Sequence, residues 1–222
     1  MLSNLDLLRR VPLFSALTPT QAASIADAII KKRFKRAEMV VEQGKKSNAL
    51  YIILTGRARV MNTDSRGREV ILATLQPGDY IGEMSLIDDE PHSATVRTEV
   101  QTDVLMLGRE AFSKCLPENS SMSSNIMRGL VKRLRSADDK IKSLALLDVY
   151  GRVARALLEF AVDDGAGNLK VRDKISRQDL AKMVGASREM VSRVMKDLEG
   201  RGFVQTQADG SMIVKERLSS LT

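Results

Sequence analysis

Residues 175–204 read ISRQDLAKMVGASREMVSRVMKDLEGRGFV and contain two short helical patterns separated by a glycine. Ser176 is a favourable N-cap for a helix over 177–184, with Asp179 placed to complete a capping box. Ser187 is a favourable N-cap for a second helix. Gly185 can adopt the positive φ that a tight turn between two helices requires. The stretch therefore predicts a helix-turn-helix.

The second predicted helix has one apolar face and one polar face. Its apolar positions, which we expect to pack inward, are Val191, Val194, Met195 and Leu198. Arginine can donate two hydrogen bonds to guanine O6 and N7, and glutamate can accept one from cytosine N4. A helical hairpin with a solvated charged face would show a similar charge run. The glycine turn, the two caps and the combined arginine and glutamate side chains favour DNA binding instead.

The predicted DNA-binding residues are of two chemical kinds. Serine, glutamine and lysine suit phosphates, which fix the register without reading sequence, whereas arginine and glutamate suit base edges. The full predicted set is Ser176, Arg177, Gln178, Ser187, Arg188, Glu189, Ser192, Arg193 and Lys196. The tail GFVQTQADGSMIV (202–214) predicts a β-hairpin that turns at Asp209-Gly210, which makes the unit a winged helix-turn-helix.

Upstream of this unit, residues 34–107 consist of short β-rich runs punctuated by glycines. The glycine spacing is typical of an antiparallel barrel or sandwich, and Arg66-Gly67 indicates a hairpin tip. Residues 18–32 precede the strands and predict a helix, because Thr18 and Gln21 have capping-box spacing.

Residues 120–146 contain no proline and repeat apolar residues at steps of three and four. This pattern predicts a long helix, and its regularity favours a two-chain coiled coil over a helix packed only on its own domain. The predicted homodimer interface is Met127, Leu130, Leu134, Ala137, Ile141 and Leu144. A second helix is predicted over 148–162.

The expected fold class is α+β, with three segments. Residues 1–117 are expected to form an antiparallel β-barrel, residues 118–146 the dimerisation helix and residues 147–222 the winged helix-turn-helix. The formal charge of +7 and the pI near 9.6 favour a polyanionic partner, nucleic acid before an anionic membrane.

Composition excludes several classes of protein. Cys115 is the only cysteine, so an internal disulfide, a cysteine-ligated zinc site and an iron–sulfur cluster are excluded. The sequence has no apolar run of membrane-spanning length and no secretory leader, and we expect a cytoplasmic protein without a membrane partner. Because it lacks a glycine-rich nucleotide loop, a nucleophile elbow and an HExxH motif, we expect no enzyme. We also expect no metal site and no prosthetic group.

Residues 175–199, preceded by LALLDVYGRVARALLEFA (144–161), resemble the cyclic-AMP receptor protein / fumarate-nitrate regulator (Crp/Fnr) family. The resemblance covers nearly the whole chain and implies a jelly-roll cyclic-nucleotide-binding barrel, a dimer helix and a winged helix. It implies that Arg188, Glu189 and Arg193 recognise a TGTGA-type half-site in near-palindromic double-stranded DNA, and that RNA polymerase is a partner. Ser192 stands where the cyclic-AMP receptor protein has glycine.

In that family, the segment matching GEMSLIDDEPHSATV (82–96) is the phosphate-binding cassette. The resemblance implies that Glu83 accepts from a ribose 2′-hydroxyl, while helix-terminal N–H groups and an arginine hold the phosphate. This chain has His92-Ser93-Ala94 where the family has Arg-Ser-Ala. Histidine is mostly neutral near pH 7, with an ordinary pKa of ~6.5, so the permanent charge of the arginine is lost.

The dimer helix departs from the family at a second place. The cyclic-AMP receptor protein has Thr-Ser for the adenine ring where this chain has Ala137-Asp138. A carboxylate can accept from guanine N1–H and N2–H₂ together, which adenine does not offer. The simpler alternative is a solvated Asp138 paired with Lys142 at i+4. Nearby Arg128, Arg133 and Arg135 could stack on a purine or meet a phosphate.

Together these departures favour cyclic di-GMP over cyclic AMP as the effector. A DNA-binding protein with a vestigial barrel that answers to no effector is a further alternative. His92 is alternatively a hydrogen-bonded turn residue or a haem ligand. The predicted effector contacts are Gly82, Glu83, Met84, Ser85, His92, Ser93, Arg135 and Asp138.

Overall fold

The computed structural model describes residues 3–15, 17–46, 48–118, 120–163 and 169–221. The chain divides into two compact units, Met1–Leu134 and Arg135–Thr222. The division falls inside the long helix, upstream of the boundary near residue 146 that the sequence suggested. Two buried residues of that helix, Met122 and Ile126, belong to the core of the first unit, which explains why its N-terminal half is grouped there.

In its described residues, the first unit combines short helices with eight strands. Its helices are α1 (Asn4–Leu8), α2 (Pro19–Ala28), α3 (Glu83–Asp88), α4 (Arg109–Glu118) and the start of α5 (Ser120–Leu146), with a 3-10 turn at Pro12–Phe14. Its strands are β1 (Ile29–Phe34), β2 (Met39–Val41), β3 (Ala49–Thr55), β4 (Ala58–Thr63), β5 (Glu69–Leu75), β6 (Tyr80–Ile81), β7 (Thr95–Thr98) and β8 (Thr102–Gly108).

All strand pairs of this unit are antiparallel and form two four-stranded sheets, ordered β1-β8-β3-β6 and β2-β7-β4-β5. Eight strands in two sheets correspond to a double-sheet jelly roll. The predicted antiparallel β domain is confirmed, although pairing among the described residues does not close the two sheets into one barrel. The predicted hairpin tip is also confirmed, since Gly67 donates to the carbonyl of Asp64 in the turn between β4 and β5.

Aliphatic side chains from both sheets form one core between them. Ile53 and Val104 from the first sheet and Ala58 and Val96 from the second are almost completely buried in it. A second cluster joins the outer helices to the first sheet, with Phe112 and Met122 among its buried members. The absence of tryptophan is thus compensated by branched aliphatic packing.

The predicted helix over 18–32 is shorter than expected. Thr18 and Gln21 form the capping box at its start, and Pro19 occupies the first turn. The helix ends at Ala28, and Ile29 begins β1, which pairs along its whole length with β8. The two consecutive β-branched isoleucines, Ile29 and Ile30, suit a strand, and pairing with β8 overrides the helical pattern of the preceding turn.

Outside residues 164–168 and 222, the second unit contains the rest of α5, three further helices and four short strands. The helices are α6 (Val149–Phe160), α7 (Arg177–Val184) and α8 (Arg188–Gly200), followed by a 3-10 segment at Glu216–Leu221. The strands are β9 (Ala161–Asp163), β10 (Leu169–Val171), β11 (Val204–Thr206) and β12 (Met212–Val214), in the antiparallel order β11-β12-β10-β9. The predicted helix over 148–162 therefore ends at Phe160, where the chain enters β9.

The core of the second unit is built from α6, α7, α8 and the small sheet. Val153, Leu157, Leu180 and Met195 are at most 1% exposed within it. Because this core contains residues from every helix of the helix-turn-helix, the orientation of α8 relative to α7 is fixed by packing.

Candidate nucleic-acid interface and effector site

The helix-turn-helix has the boundaries that its sequence predicts. The Ser176 hydroxyl accepts from the Asp179 N–H at 3.0 Å at the start of α7, and the Ser187 hydroxyl accepts from the Met190 N–H at 3.2 Å at the start of α8. Gly185 ends α7 with φ of +65°, a conformation that favours glycine. These local hydrogen bonds fix where the second helix begins.

The two faces of α8 separate as predicted. Val191, Met195 and Leu198 are fully buried, and Val194 is half-buried against the same core. The opposite face is exposed and carries Arg188, Glu189, Ser192, Arg193 and Lys196. Two arginines, a lysine and a carboxylate are thus exposed to solvent on one side of α8, while the other side packs in the core of the second unit.

Glu189 is held in its ionised form. Its own backbone N–H, and next the Ser187 side chain, lower the pKa of this carboxyl below the ordinary value. It can therefore accept hydrogen bonds at neutral pH but cannot donate one. The Ser192 hydroxyl donates to the Arg188 carbonyl at 2.8 Å, which leaves its lone pairs as acceptors.

The remaining predicted DNA contacts differ in their surroundings. Ser176, Gln178 and Ser187 are exposed, as phosphate contacts require. Arg177 is half-buried and donates to Glu199 at 3.0 Å, and Glu199 also accepts from the Thr206 hydroxyl at 2.7 Å. Arg177 thus links α7 to α8 and, through Glu199, to the wing strand β11.

The wing is a hairpin of β11 and β12, and Gly210 occupies its turn with φ of +84°. Asp209 accepts from both the backbone N–H and the hydroxyl of Ser211, which fixes the turn. The predicted β-hairpin at Asp209-Gly210 is therefore confirmed.

The cassette begins with a sharp turn in the first unit. Gly82 is buried with φ of +95° and leads into α3, which starts with Glu83. Glu83 is 1% exposed, Ser85 is buried, and Met84 between them is exposed. The turn therefore places a carboxylate inside the unit, where burial raises its pKa above the ordinary value.

The partner of that buried carboxylate is Arg133 on α5. The Arg133 guanidinium forms an ion pair with Glu83, donates to the Tyr80 carbonyl at 2.6 Å and lies 4.9 Å from the Tyr80 ring centroid. Its positive charge opposes the rise in the pKa of Glu83. Arg133 therefore connects the long helix directly to the predicted ribose acceptor.

Tyr80 makes a second connection to the same helix. Its hydroxyl donates to the Ile126 carbonyl at 3.2 Å, and its ring lies against Gly129. A Cβ atom at Gly129 would overlap the Tyr80 hydroxyl, so the close approach of helix and strand depends on glycine at this position.

His92 is half-buried, and its backbone is fixed from both sides. Its N–H donates to the Lys45 carbonyl at 2.8 Å, and its carbonyl accepts from the Gly44 N–H at 2.9 Å. Desolvation by burial lowers the pKa of its imidazole below the ordinary histidine value. Ser93 is exposed, and its carbonyl accepts from the Asn62 side chain at 3.2 Å. No cluster of ligands suited to a metal ion occurs among the described residues.

Two known domain families match this chain. Residues 31–119 match the cyclic nucleotide-binding domain, and residues 151–219 match the Crp-like helix-turn-helix domain. The cAMP-activated global transcriptional regulator Vfr of Pseudomonas aeruginosa is 31% identical over 212 residues, which cover 91% of this chain and 99% of that protein. The chain belongs to the Crp/Fnr family.

Other members of the Crp/Fnr family support the same assignment. The cAMP-activated global transcriptional regulator CRP of Salmonella typhimurium is 32% identical, covering 82% of this chain and 87% of that protein. Among solved structures, the c-di-GMP responsive global regulator CLP of Xanthomonas campestris has a TM-score of 0.72 and 25% identity, covering 89% of this chain and 98% of that one. Crp/Fnr regulators are dimeric DNA-binding proteins and not enzymes, as the sequence predicted.

The long helix of this Crp/Fnr chain exposes apolar side chains along one stripe. Leu134 and Ile141 are each 63% exposed, and Met127, Ala137 and Leu144 are also exposed. Leu130, which the heptad pattern selected, is half-buried against the core of the first unit, whereas its neighbour Val131 is 50% exposed.

In the part of the chain that the structure describes, no helix has the length and apolarity to span a bilayer.

The predicted effector contacts fall in both compact units. Gly82, Glu83, Met84, Ser85, His92 and Ser93 are in the first unit, whereas Arg135 and Asp138 are exposed residues of the second. The joint action of these two groups stays a prediction.

Arg133 was only one of three candidate arginines in the sequence, and the structure selects it because its guanidinium reaches Glu83.

Proposed function

We propose that this chain is a homodimeric transcription regulator whose two winged helix-turn-helix units bind a near-palindromic DNA site. The observation that carries the proposal is the exposed arginine and glutamate face of α8, opposite an apolar face whose Val191, Met195 and Leu198 are fully buried. Arg188, Glu189 and Arg193 would contact base edges of a TGTGA-type half-site in successive major grooves ~34 Å apart. Ser176, Gln178, Ser187 and Lys196 would contact phosphates.

Selection from a pool of randomised duplexes tests this proposal. The wild-type protein should enrich a two-fold related site, and Arg188→Ala or Arg193→Ala should each cost ~1–3 kcal/mol and relax the preference at one base position. Arg172→Ala removes another exposed arginine of the same unit and serves as the control. Enrichment of no sequence by the wild-type protein, or an unchanged base preference in both variants, would exclude the assignment.

The effector that we propose first is cyclic di-GMP. Glu83 retains the ribose-accepting carboxylate, but His92 replaces the arginine that the family uses for phosphate, and Ala137-Asp138 replaces its adenine-binding pair. The carboxylate of Asp138 matches the N1–H and N2–H₂ donors of guanine. CLP, a solved structure with a similar fold, is described as a c-di-GMP responsive regulator, which supports cyclic di-GMP as the effector.

Cyclic AMP is the second candidate, favoured by two observations. The relatives from Pseudomonas aeruginosa and Salmonella typhimurium are both described as cAMP-activated. Arg133 also supplies a permanent positive charge beside Glu83, which could compensate for the missing cassette arginine. In either case Glu83 could accept from a ribose hydroxyl while it stays paired with Arg133, because a carboxylate can accept several hydrogen bonds at once.

Calorimetric titration of the full-length protein with each nucleotide distinguishes the two effectors. Cyclic di-GMP should bind the wild type and lose affinity in Asp138→Ala, while Asp139→Ala, a change at the next exposed carboxylate, should bind normally. Binding of cyclic AMP alone, unaffected by Asp138→Ala, would select the second candidate. Heat from neither nucleotide would favour a regulator that needs no effector.

The effector would act by changing how the two DNA-binding units are presented. Such coupling between two sites typically amounts to ~1–3 kcal/mol.

We further propose that the DNA-bound dimer contacts RNA polymerase, as the family resemblance implies. Transcription from a promoter carrying the selected site, with and without the protein, would test this, and an unchanged transcript level would contradict it.

A further inference from the structure

Met190 is an unusual residue on the exposed side of α8. It is the third residue of the helix and is 40% exposed, whereas Val191 and Met195 are fully buried and Val194 packs against the core. All thirteen residues of α8 are described, and Met190 is the only large apolar side chain among them that is exposed. Its apolar surface contributes little to the core of the unit.

The backbone of Met190 is held firmly at the start of the helix. Its N–H donates to the Ser187 hydroxyl at 3.2 Å, and the next N–H, that of Val191, donates to the Ser187 carbonyl at 3.1 Å. Met190 lies one turn before Arg193 and directly after Glu189. Residues three apart on a helix are surface neighbours, so Met190 and Arg193 occupy adjacent positions on the same side of α8.

The chemistry of the major groove offers one apolar group to such a side chain. Among the base edges exposed there, the C5-methyl of thymine is the group that apolar side chains contact, and it distinguishes thymine from the other bases. Methionine is unbranched and polarisable and adapts to contacts of irregular shape. The N-terminal residues of a recognition helix are those that reach base edges.

We propose that Met190 contacts the C5-methyl group of a thymine and so determines specificity at one base pair of each half-site. The inference rests on the proposed function, since it requires α8 to enter the major groove. It adds an apolar contact to the hydrogen bonds of Arg188, Glu189 and Arg193, and it assigns a role to a residue that a purely polar model of recognition leaves out.

Single replacement of thymine by deoxyuracil in the selected duplex tests the contact, because deoxyuracil keeps the pairing and loses only the methyl group. At one thymine per half-site, the wild-type protein should bind the deoxyuracil duplex about fourfold more weakly, which corresponds to ~0.8 kcal/mol for one buried methyl group. Met190→Ala should bind the two duplexes equally. Met190→Leu should keep the preference for thymine, and Met190→Gln, of similar length, should lose it.

Val162→Ala is the matched control, because Val162 is another exposed apolar residue of the same unit, 48% exposed on β9. It should discriminate thymine from deoxyuracil as the wild type does. Circular dichroism would verify that the Met190 variants are folded. The inference is overturned if the wild type tolerates deoxyuracil everywhere, or if Met190→Ala keeps the full preference. Failure of the wild type to bind any duplex would instead refute DNA binding itself.

Discussion

The Arg133 guanidinium forms an ion pair with the Glu83 carboxylate, which is 1% exposed and lies fifty residues away in sequence. Burial of a carboxylate is unfavourable unless it is paired and hydrogen-bonded, and Arg133 provides the charge that makes this burial tolerable. The same guanidinium also donates to the Tyr80 carbonyl. The Arg133 side chain therefore links the long helix both to the predicted ribose acceptor and to the backbone of Tyr80.

Arg133→Ala should destabilise the protein, because Glu83 would remain buried without its cation. We expect the free energy of unfolding to fall by about 1–3 kcal/mol in urea denaturation. Arg135→Ala removes an exposed arginine from the same helix and should change stability by less than about 0.5 kcal/mol. Equal effects of the two substitutions would show that the ion pair contributes no stability.

The deficit of Arg133→Ala should depend on pH in a defined direction. Burial raises the pKa of Glu83 and Arg133 opposes that rise, so the carboxyl of the variant binds a proton at higher pH than that of the wild type. A folded-state pKa above the unfolded value costs stability when the group ionises. The loss of unfolding free energy in Arg133→Ala should therefore be largest at about pH 8 and should shrink toward about pH 5. A loss that is the same at every pH would argue against Glu83 as its source.

Gly129→Ala tests the close contact between α5 and Tyr80. A Cβ atom at this position would overlap the Tyr80 hydroxyl, so we expect a loss of about 1–3 kcal/mol in the free energy of unfolding. Tyr80→Phe in the same chain removes the overlapping atom and should recover part of the loss. Gly108→Ala is the control, since its Cβ would have no neighbour within 4 Å. A neutral Gly129→Ala would contradict the tight packing.

Ile141→Asp should disrupt the homodimer if the exposed stripe of α5 is its interface. A carboxylate in an apolar helix pair is costly because it loses its hydration without gaining a partner. Light scattering coupled to size-exclusion chromatography should report twice the 24.5 kDa chain mass for the wild type and a single chain mass for the variant. Lys132→Asp introduces the same side chain at an exposed polar position of α5, with a larger change in net charge, and should remain dimeric. A dimeric Ile141→Asp would place the interface elsewhere.

His92 should titrate below the ordinary histidine pKa, since burial lowers the pKa of its imidazole. A depressed folded-state pKa means that the unfolded chain binds the proton first as pH falls through about 6.5. As the pH falls below about 6.5, the free energy of unfolding should therefore decrease more in the wild type than in His92→Gln. At higher pH, where His92 is neutral in both the folded and the unfolded chain, this difference in pH dependence should disappear. As the only histidine, it gives a single imidazole signal in proton NMR, and a midpoint above 6.5 would contradict the prediction.

Lys196→Ala should weaken DNA binding without changing which bases are preferred. Loss of one phosphate contact should reduce the slope of log K against log salt by about one per half-site, since fewer counterions are released. Binding to the selected duplex and to an unrelated duplex should weaken by similar factors. A variant that kept the wild-type salt slope would show that Lys196 contacts no phosphate.

Local sequence patterns were sufficient to predict the helix-turn-helix and its wing. The predicted features are the caps at Ser176 and Ser187, the turn at Gly185 and the apolar spacing of α8. Each of them depends on residues only three or four positions apart, so each can be predicted without knowledge of the fold. The matches to both domain families agree with that prediction. The long helix over Ser120–Leu146 was predictable for the same reason.

The three-dimensional packing of distant segments was needed to show which residues of α5 face inward and which polar groups are in contact. The heptad pattern could not distinguish half-buried Leu130 from exposed Val131, because both suit an apolar position and only packing on the first unit separates them. Nor could it show that Arg133, rather than Arg128 or Arg135, meets Glu83. Such a contact depends on how distant segments approach in space, which local periodicity does not encode.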